Sequence, residues 1–154
     1  VIHGLDISFV VQVEVWSHPG HIGARATRDR LLDAGDRFAL APQVLAELIH
    51  IVTDERRFAR PLSIDEALSR AEAWWTAEEV VPALPNEHTV PRFIAWLREH
   101  RLGRKRLLDT LLAATYITND VSSIVTANTR DFAVFDCFQL ISGDGPVSAR
   151  DGSR

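Results

Sequence analysis

A single cysteine, Cys137, allows no intrachain disulfide, which fits a reducing compartment such as the cytoplasm. No apolar run approaches the roughly 20 residues of a membrane span. The first residues lack the basic segment of a secretory signal, so no signal peptide is expected. Positive charge is not in excess: 17 Lys and Arg against 21 Asp and Glu leave a formal net charge of −4. That excludes a basic coat for non-specific nucleic-acid binding, but not work on nucleic acid at an acidic, metal-loaded site. With 8 Gly and 7 Pro, the chain is not linker-rich or disordered. No Gly-x-Ser-x-Gly elbow and no phosphate-cradling Gly-rich loop occur, which sets aside a Ser–His–Asp hydrolase and a nucleotide cradle. His18 and His21 have no Cys or third His at ligand spacing, so zinc is set aside too. A receiver-type phosphoacceptor needs a well-placed late lysine, and the only lysine, Lys105, is poorly placed.

The 154 residues suit one domain with a sizeable core. Residues 1–142 read as that domain and 143–154 as a loose polar tail. Strand signals alternate with helix signals. A strand runs through about Leu5, with Asp6 at its end and Ser8 as N-cap of a short helical turn. A loop follows at Trp16–His21, marked by Pro19-Gly20. An amphipathic helix then spans Ile22–Ala34, with Gly35 after it. The brief strand Phe38–Ala41 leads into a helix opened by Pro42. Arg56, Arg57 and Arg60 lie in a loop before Ser63-Ile-Asp-Glu66, a capping box that starts a helix to about Glu79. Val80–Leu84 is extended, and its proline suggests a sheet edge. A helix from Thr89 or Val90 to His100 and the basic connection Arg101–Arg106 follow.

The organising stretch is Arg106–Phe135. Its helix is apolar on nearly every side, with Leu108, Leu111, Leu112, Thr115 and Tyr116 at helical spacing, so it is expected to be central and buried. Yet Asp109 sits in its first turn, where a carboxylate costs free energy unless paired. The helix dipole, free N–H groups or a metal ion can hold it there. A buried strand, Ser123–Thr126, ends in a polar tip with Asn128 and Asp131. A short turn or helix and a last strand, Gln139–Ile141, complete the pattern. Trp74, Trp75 and Trp96 fall at helical spacing with apolar residues, so they read as core or partner contacts; Trp16, in a loop, is free to stack on a base.

This alternation predicts a central parallel sheet flanked by helices on both faces, an α/β fold, with its site at the C-terminal ends of the strands. Asp6, Glu47, Asp109 and Asp131 could then meet at one sheet edge. Singly, each has an ordinary reading: Asp6 a turn or cap, Glu47 a solvated helix position, Asp131 a cap beside Phe132. Gathered carboxylates repel unless protonated or bridged by cations. Mg²⁺ or Mn²⁺, hard ions that prefer oxygen ligands, would bridge them and activate a water for attack on phosphorus.

Leu5-Asp6-Ile7-Ser8, Gln43-Val44-Leu45-Ala46-Glu47-Leu48, Leu108-Asp109-Thr110-Leu111-Leu112-Ala113-Ala114 and Val125-Thr126-Ala127-Asn128-Thr129-Arg130-Asp131-Phe132 resemble the four motifs of PIN-domain ribonucleases. Within that family the chain looks most like the VapC toxins of toxin–antitoxin pairs. The resemblance implies a Mg²⁺- or Mn²⁺-dependent endoribonuclease that acts on RNA. It implies Asp6, Asp109 and Glu47 as metal ligands, a homodimer, and neutralisation by a VapB-type antitoxin. Family members often carry Asp at the position of Asn128, so Asn128 or Asp131 would fill the fourth place. Ser8 and Thr126 would be supporting or phosphate-contacting hydroxyls. Arg101, Arg104, Lys105 and Arg106 form the densest basic cluster, either solvated surface or an RNA contact. The alternative is a PIN-like module, weakened by Asn128, that binds RNA or protein without cutting.

Overall fold

A computed structural model describes residues 1–143 and 145–146. In chain order the strands are β1 (Ile2–Leu5), β2 (Arg37–Leu40), β3 (Val80–Pro82), β4 (Ser123–Val125), β5 (Gln139–Ser142) and β6 (Gly145–Pro146). The helices are α1 (Ile7–Glu14), α2 (His21–Asp33), α3 (Pro42–Val52), α4 (Ile64–Thr76), α5 (Thr89–Glu99), α6 (Leu107–Ile117) and α7 (Thr129–Ala133). The sheet order is β3-β2-β1-β4-β5-β6. All pairings are parallel except that of β6, which returns antiparallel along β5. Most of the tail taken as loose lies outside the described residues.

From β1 the chain steps outward through β2 to β3, then crosses back to β4 on the other side of β1 and steps outward to β5. With right-handed crossovers, α1–α4 cover one face and α5–α7 the other. The packing agrees: α1 lies on α2 and α3, α3 on α4, and α5 on α6, which touches α7. The strand order therefore reverses between β1 and β4, and the chain leaves their C-terminal ends toward opposite faces, which is where a sheet of this kind has its crevice.

The elements follow their sequence signals closely. Ser63 and Glu66 form the reciprocal capping box. Pro42 opens α3, and Pro82 lies in the edge strand β3, where its missing N–H costs nothing. Three expectations need correction. Asp6, not Ser8, is the N-cap of α1, because that helix starts directly off β1 and Phe9 and Val10 donate to the Asp6 carbonyl. The fourth helix stops at Thr76, since Ala77 turns extended to enter β3. The helix α6 is not buried all round: Leu107 and Leu108 are exposed at its first turn, while Leu112, Ala113, Ala114 and Tyr116 are buried.

The core lies between the sheet and both helix layers, with Leu5, Phe9, Leu40, Leu48, Tyr116 and Ile124 fully enclosed. Trp74 and Trp96 belong to it. Trp74 donates its ring N–H to Glu14 at 2.7 Å, and Trp96 stacks on Phe135 with centroids 4.5 Å apart. At the N-terminal edge of the sheet His3 bridges Ser123 (2.7 Å) and Asp36 (2.8 Å). The order Ser–His–Asp is only a structural tie, because Ser123 is buried. The bond to His3 holds the Asp36 carboxyl below its ordinary pKa.

One contact locks the two central layers. The Tyr116 hydroxyl donates to the Leu5 carbonyl at 2.5 Å and accepts from the Ala41 N–H at 3.4 Å. Its ring covers Gly4, where an added Cβ would stand 2.5 Å from the ring. The ring cannot swing aside without breaking its bond to Leu5. Gly4→Ala should therefore lower stability by about 3 kcal/mol, the upper end for an overpacked core. A urea midpoint close to that of wild type would show the ring to be less constrained.

Candidate active site

Four acids from four separate elements approach one another at the crevice. Asp6 stands at the C-terminal end of β1 and caps α1; it is 4% exposed. Burial pushes its pKa up, while the Ser8 and Thr126 hydroxyls pull it down. Both donate to the same oxygen, Oδ2, at 2.5 Å and 2.8 Å. These hydroxyls lie 3.1 Å apart and each accepts a backbone N–H, from Ala127 to Ser8 and from Asn128 to Thr126, both at 2.9 Å. The carboxylate thus ties β1 and α1 to the segment leaving β4.

Asp109 lies in the first turn of α6, two helical turns before Tyr116 and on the same side of the helix. The Tyr116 bond to Leu5 therefore also sets where Asp109 points its face. Burial, then the charges of Asp6 and Asp131, push the Asp109 carboxyl up to about 6, with Arg106 opposing. Glu47, half-buried on α3, is raised by burial and by Asp6 and Asp109, and lowered by a bond from Gln43. Glu47 thus feels Asp6 and Asp109, and Asp109 feels Asp6 and Asp131, which links the four acids electrostatically.

Asp131, partly buried on α7, supplies the charge that Asp109 feels from the segment after β4. Asn128 is exposed as the α7 N-cap and joins the network through its backbone N–H. Of the basic cluster, Arg101, Arg104 and Lys105 are exposed, whereas Arg106 turns inward against Asp109 and α7. Arg56 and Arg57 pair with Asp54. His18 and His21 are taken up in local bonds, with the Gly20 N–H and the Gln12 carbonyl respectively.

Gln43, Tyr116 and Arg106 are site-building residues whose roles the motifs alone did not reveal. Gln43 donates to the Leu108 carbonyl at 3.1 Å, binding the start of α3 to the start of α6, and sits one turn before Glu47. Its spacing of four from Glu47 is the one sequence signal that could have marked it.

The donor set, all carboxylate oxygens with amide and hydroxyl support, suits a hard divalent cation. Buried carboxyls such as Asp109 and Glu47, raised further by neighbouring acids, are favoured in their charged form by a nearby cation. Among the described residues no three Asp, Glu, His or Cys side chains stand close enough together to hold a metal ion. The acids suit such an ion by the chemistry of their donor atoms.

The PIN domain profile matches residues 5–136, most of the chain. The chain belongs to the PIN domain family. Ribonuclease VapC25 of Mycobacterium tuberculosis (strain ATCC 25618 / H37Rv) is 27% identical over 135 residues, spanning 85% of this chain and 91% of that protein. The structure of VapBC-1 from nontypeable Haemophilus influenzae superposes with a TM-score of 0.64 at 20% identity, covering 93% of this chain and 98% of that one. VapBC2 from Rickettsia felis, bound to a DNA fragment from their promoter, gives 0.66 at 17% identity, covering 92% and 98%. At such identities these structures speak for the PIN fold, and they agree with the parallel sheet described above.

The raised carboxyls have a consequence for stability. Between the ordinary carboxylate pKa of 3.8 and about 6, folded Asp109 holds more proton than unfolded Asp109, so stability falls as pH rises through that window. Asp6 and Glu47 act in the same sense. In EDTA, Asp109→Asn should raise the melting temperature at pH 7.5 by roughly 2–4 °C, about 1 kcal/mol after allowing for its solvent contact. At pH 5 the gain should be roughly half as large, because unfolded Asp109 is already ionised there, and it should vanish below the ordinary carboxylate pKa of 3.8; an equal gain at pH 7.5 and pH 5 would exclude this origin.

Proposed function

We propose that this PIN-domain protein is a Mg²⁺- or Mn²⁺-dependent endoribonuclease, the toxin of a toxin–antitoxin pair, working in the cytoplasm. The placement of Glu47 in the field of Asp6 and Asp109, and of Asp109 in that of Asp6 and Asp131, carries the reading. The VapC relative supports RNA as the substrate class. Asp6, Asp109 and Glu47 would hold the cation. When bound, it supplies charge neutralisation on the phosphate and an acidified water. Ser8 and Thr126 fix the aim of Asp6 and oppose the rise in its pKa that burial causes. Gln43 holds Glu47 toward the crevice. Asp131 stands ready to orient water and take its proton, and Asn128 at the open rim can contact the phosphate backbone. Arg101, Arg104 and Lys105, exposed on the approach to α6, would guide RNA electrostatically. In-line attack by water leaves a 5′-phosphate and a 3′-hydroxyl.

Purified protein should cut total RNA at discrete positions with Mg²⁺ or Mn²⁺ and not in EDTA. Asp6→Asn and Asp109→Asn should each lower the rate by at least about a hundredfold, the scale of losing an electrostatic catalytic group. Full cleavage by both variants would move the chemistry elsewhere. Wild type that binds RNA and cuts nothing with either metal would favour the binding-module alternative, and Asn128→Asp would be the variant to make.

The partner reading has its own surface. VapBC-1 and VapBC2 are toxin–antitoxin assemblies by their names, and we assign a VapB-type antitoxin to this chain. A groove of about 150 Å³ runs beside the C-terminal end of α1, lined by Leu48, Val52, Phe58 and Leu62 with Trp16 and Arg60 at its side. Trp16 is 82% exposed. It lies one helix length along α1 from Asp6, so it serves a partner better than it serves a base at the cut. Separately, Val90 and Ile94 on α5 and Leu107 and Leu108 on α6 are exposed on helices that pack together; we assign that face to the homodimer. Trp16→Ala should weaken capture of a co-expressed antitoxin at least tenfold, an interfacial tryptophan being a common anchor, and leave RNA cleavage unchanged; undiminished capture would remove the groove from the interface.

A further inference from the structure

We propose that Arg106 is the site's own counter-cation: it balances Asp109 and tethers α7 while no divalent ion is bound, and it gives up Asp109 when the ion arrives. This deepens the metal-dependent reading above and rests on it. Arg106 ends the 3-10 turn Arg104–Arg106 and is the N-cap of α6, three residues before Asp109. Its neighbours Arg104 and Lys105 face solvent, whereas the Arg106 side chain is 26% exposed. One terminal nitrogen, Nη2, donates to the backbone carbonyl of Asp131. The Nε stands 3.7 Å from Asp109 Oδ2, an ion pair but too long for a hydrogen bond. That Nε is buried and has no hydrogen-bond partner among the described residues.

The combination is unusual for arginine. Its planar fork normally grips a carboxylate through two short, parallel bonds. Here the fork spans two different elements and leaves a buried donor unmatched, which carries a desolvation cost. The contact with Asp109 is thus held by charge and not by a bidentate bond. Such a contact is surrendered at little cost to a cation that binds the same oxygen closely. The bond to the Asp131 carbonyl is independent of Asp109, so the tether to α7 survives the exchange. Of the acids, Asp109 is the one that the guanidinium opposes, so the charges of the others still attract a divalent ion past Arg106. The arginine raises the ion concentration needed for occupancy and keeps the empty site from flying apart.

The test is calorimetric titration of Mn²⁺ into metal-stripped wild type, R106Q and R106K, with thermal unfolding of each in EDTA and in saturating Mn²⁺. A counter-cation predicts effects of opposite sign. R106Q should bind Mn²⁺ several-fold to roughly tenfold more tightly, because a unit positive charge near the ion is gone. The same variant should melt several degrees lower in EDTA, and the deficit should close in Mn²⁺. R106K, which keeps the charge, should bind within about twofold of wild type. If R106Q binds Mn²⁺ equally or more weakly while melting lower, Arg106 is a strut and the proposal falls alone. If neither wild type nor R106Q binds Mn²⁺, the metal reading falls and takes this one with it. Should R106Q fail to fold, R106K decides: an affinity loss well beyond twofold means that the fork's geometry, not its charge, is what the site uses.

Discussion

Like charges brought together out of water repel, and that repulsion governs how this molecule is built. Asp6 is almost wholly desolvated at the point where β1 and β4 part, and Glu47, Asp109 and Asp131 lie within reach of one another's fields. A chain free to relax would spread these acids into solvent. Here each is fixed to an element whose position is set by something else. The cost is met in part by Ser8, Thr126, Gln43 and Arg106.

The scaffold resists that repulsion through a few connections of high leverage. Tyr116 is the chief one. Its ring fills the space over Gly4 and its hydroxyl grips the end of β1, so α6 cannot slide and Asp109 cannot retreat. Gln43 joins α3 to α6 at their first turns. On the far side Phe132 is buried under the sheet and roots α7, which carries Asp131. The opposite edge of the sheet, closed by His3, Ser123 and Asp36, uses polar groups in matched pairs. The C-terminal edge instead gathers Asp6, Glu47, Asp109 and Asp131, with Arg106 against Asp109. That asymmetry between the two ends of one sheet separates a structural tie from a site.

Much of this was legible in the linear chain. Alternating strand and helix signals point to the α/β class, and the same alternation brings Asp6 and Asp131, which follow β1 and β4, to one edge of a sheet. The capping box at Ser63, the proline that opens α3 and the edge proline in β3 are local effects of backbone geometry, so local reading found them. The misreadings came from tertiary context. Ser8 looks like a cap because serine usually is one, but the helix begins two residues earlier, off a strand whose direction the sheet dictates. The α6 repeat suggested burial all round, yet only the side over the sheet is covered and Leu107 and Leu108 project outward.

By itself the sequence determined which residue types stand at the ends of which elements, because propensity, periodicity and capping act within a few residues of chain. It also determined that the chain carries more acid than base overall, 21 Asp and Glu against 17 Lys and Arg. Only the tertiary structure decided that Asp131, and not the amide of Asn128, contributes charge at Asp109, that Tyr116 sets the depth of α6, and that Arg106 turns inward while Arg104 and Lys105 do not. Each of these depends on distances between segments remote in sequence. Coulomb energy and close packing vary steeply with such distances, and no local pattern encodes them.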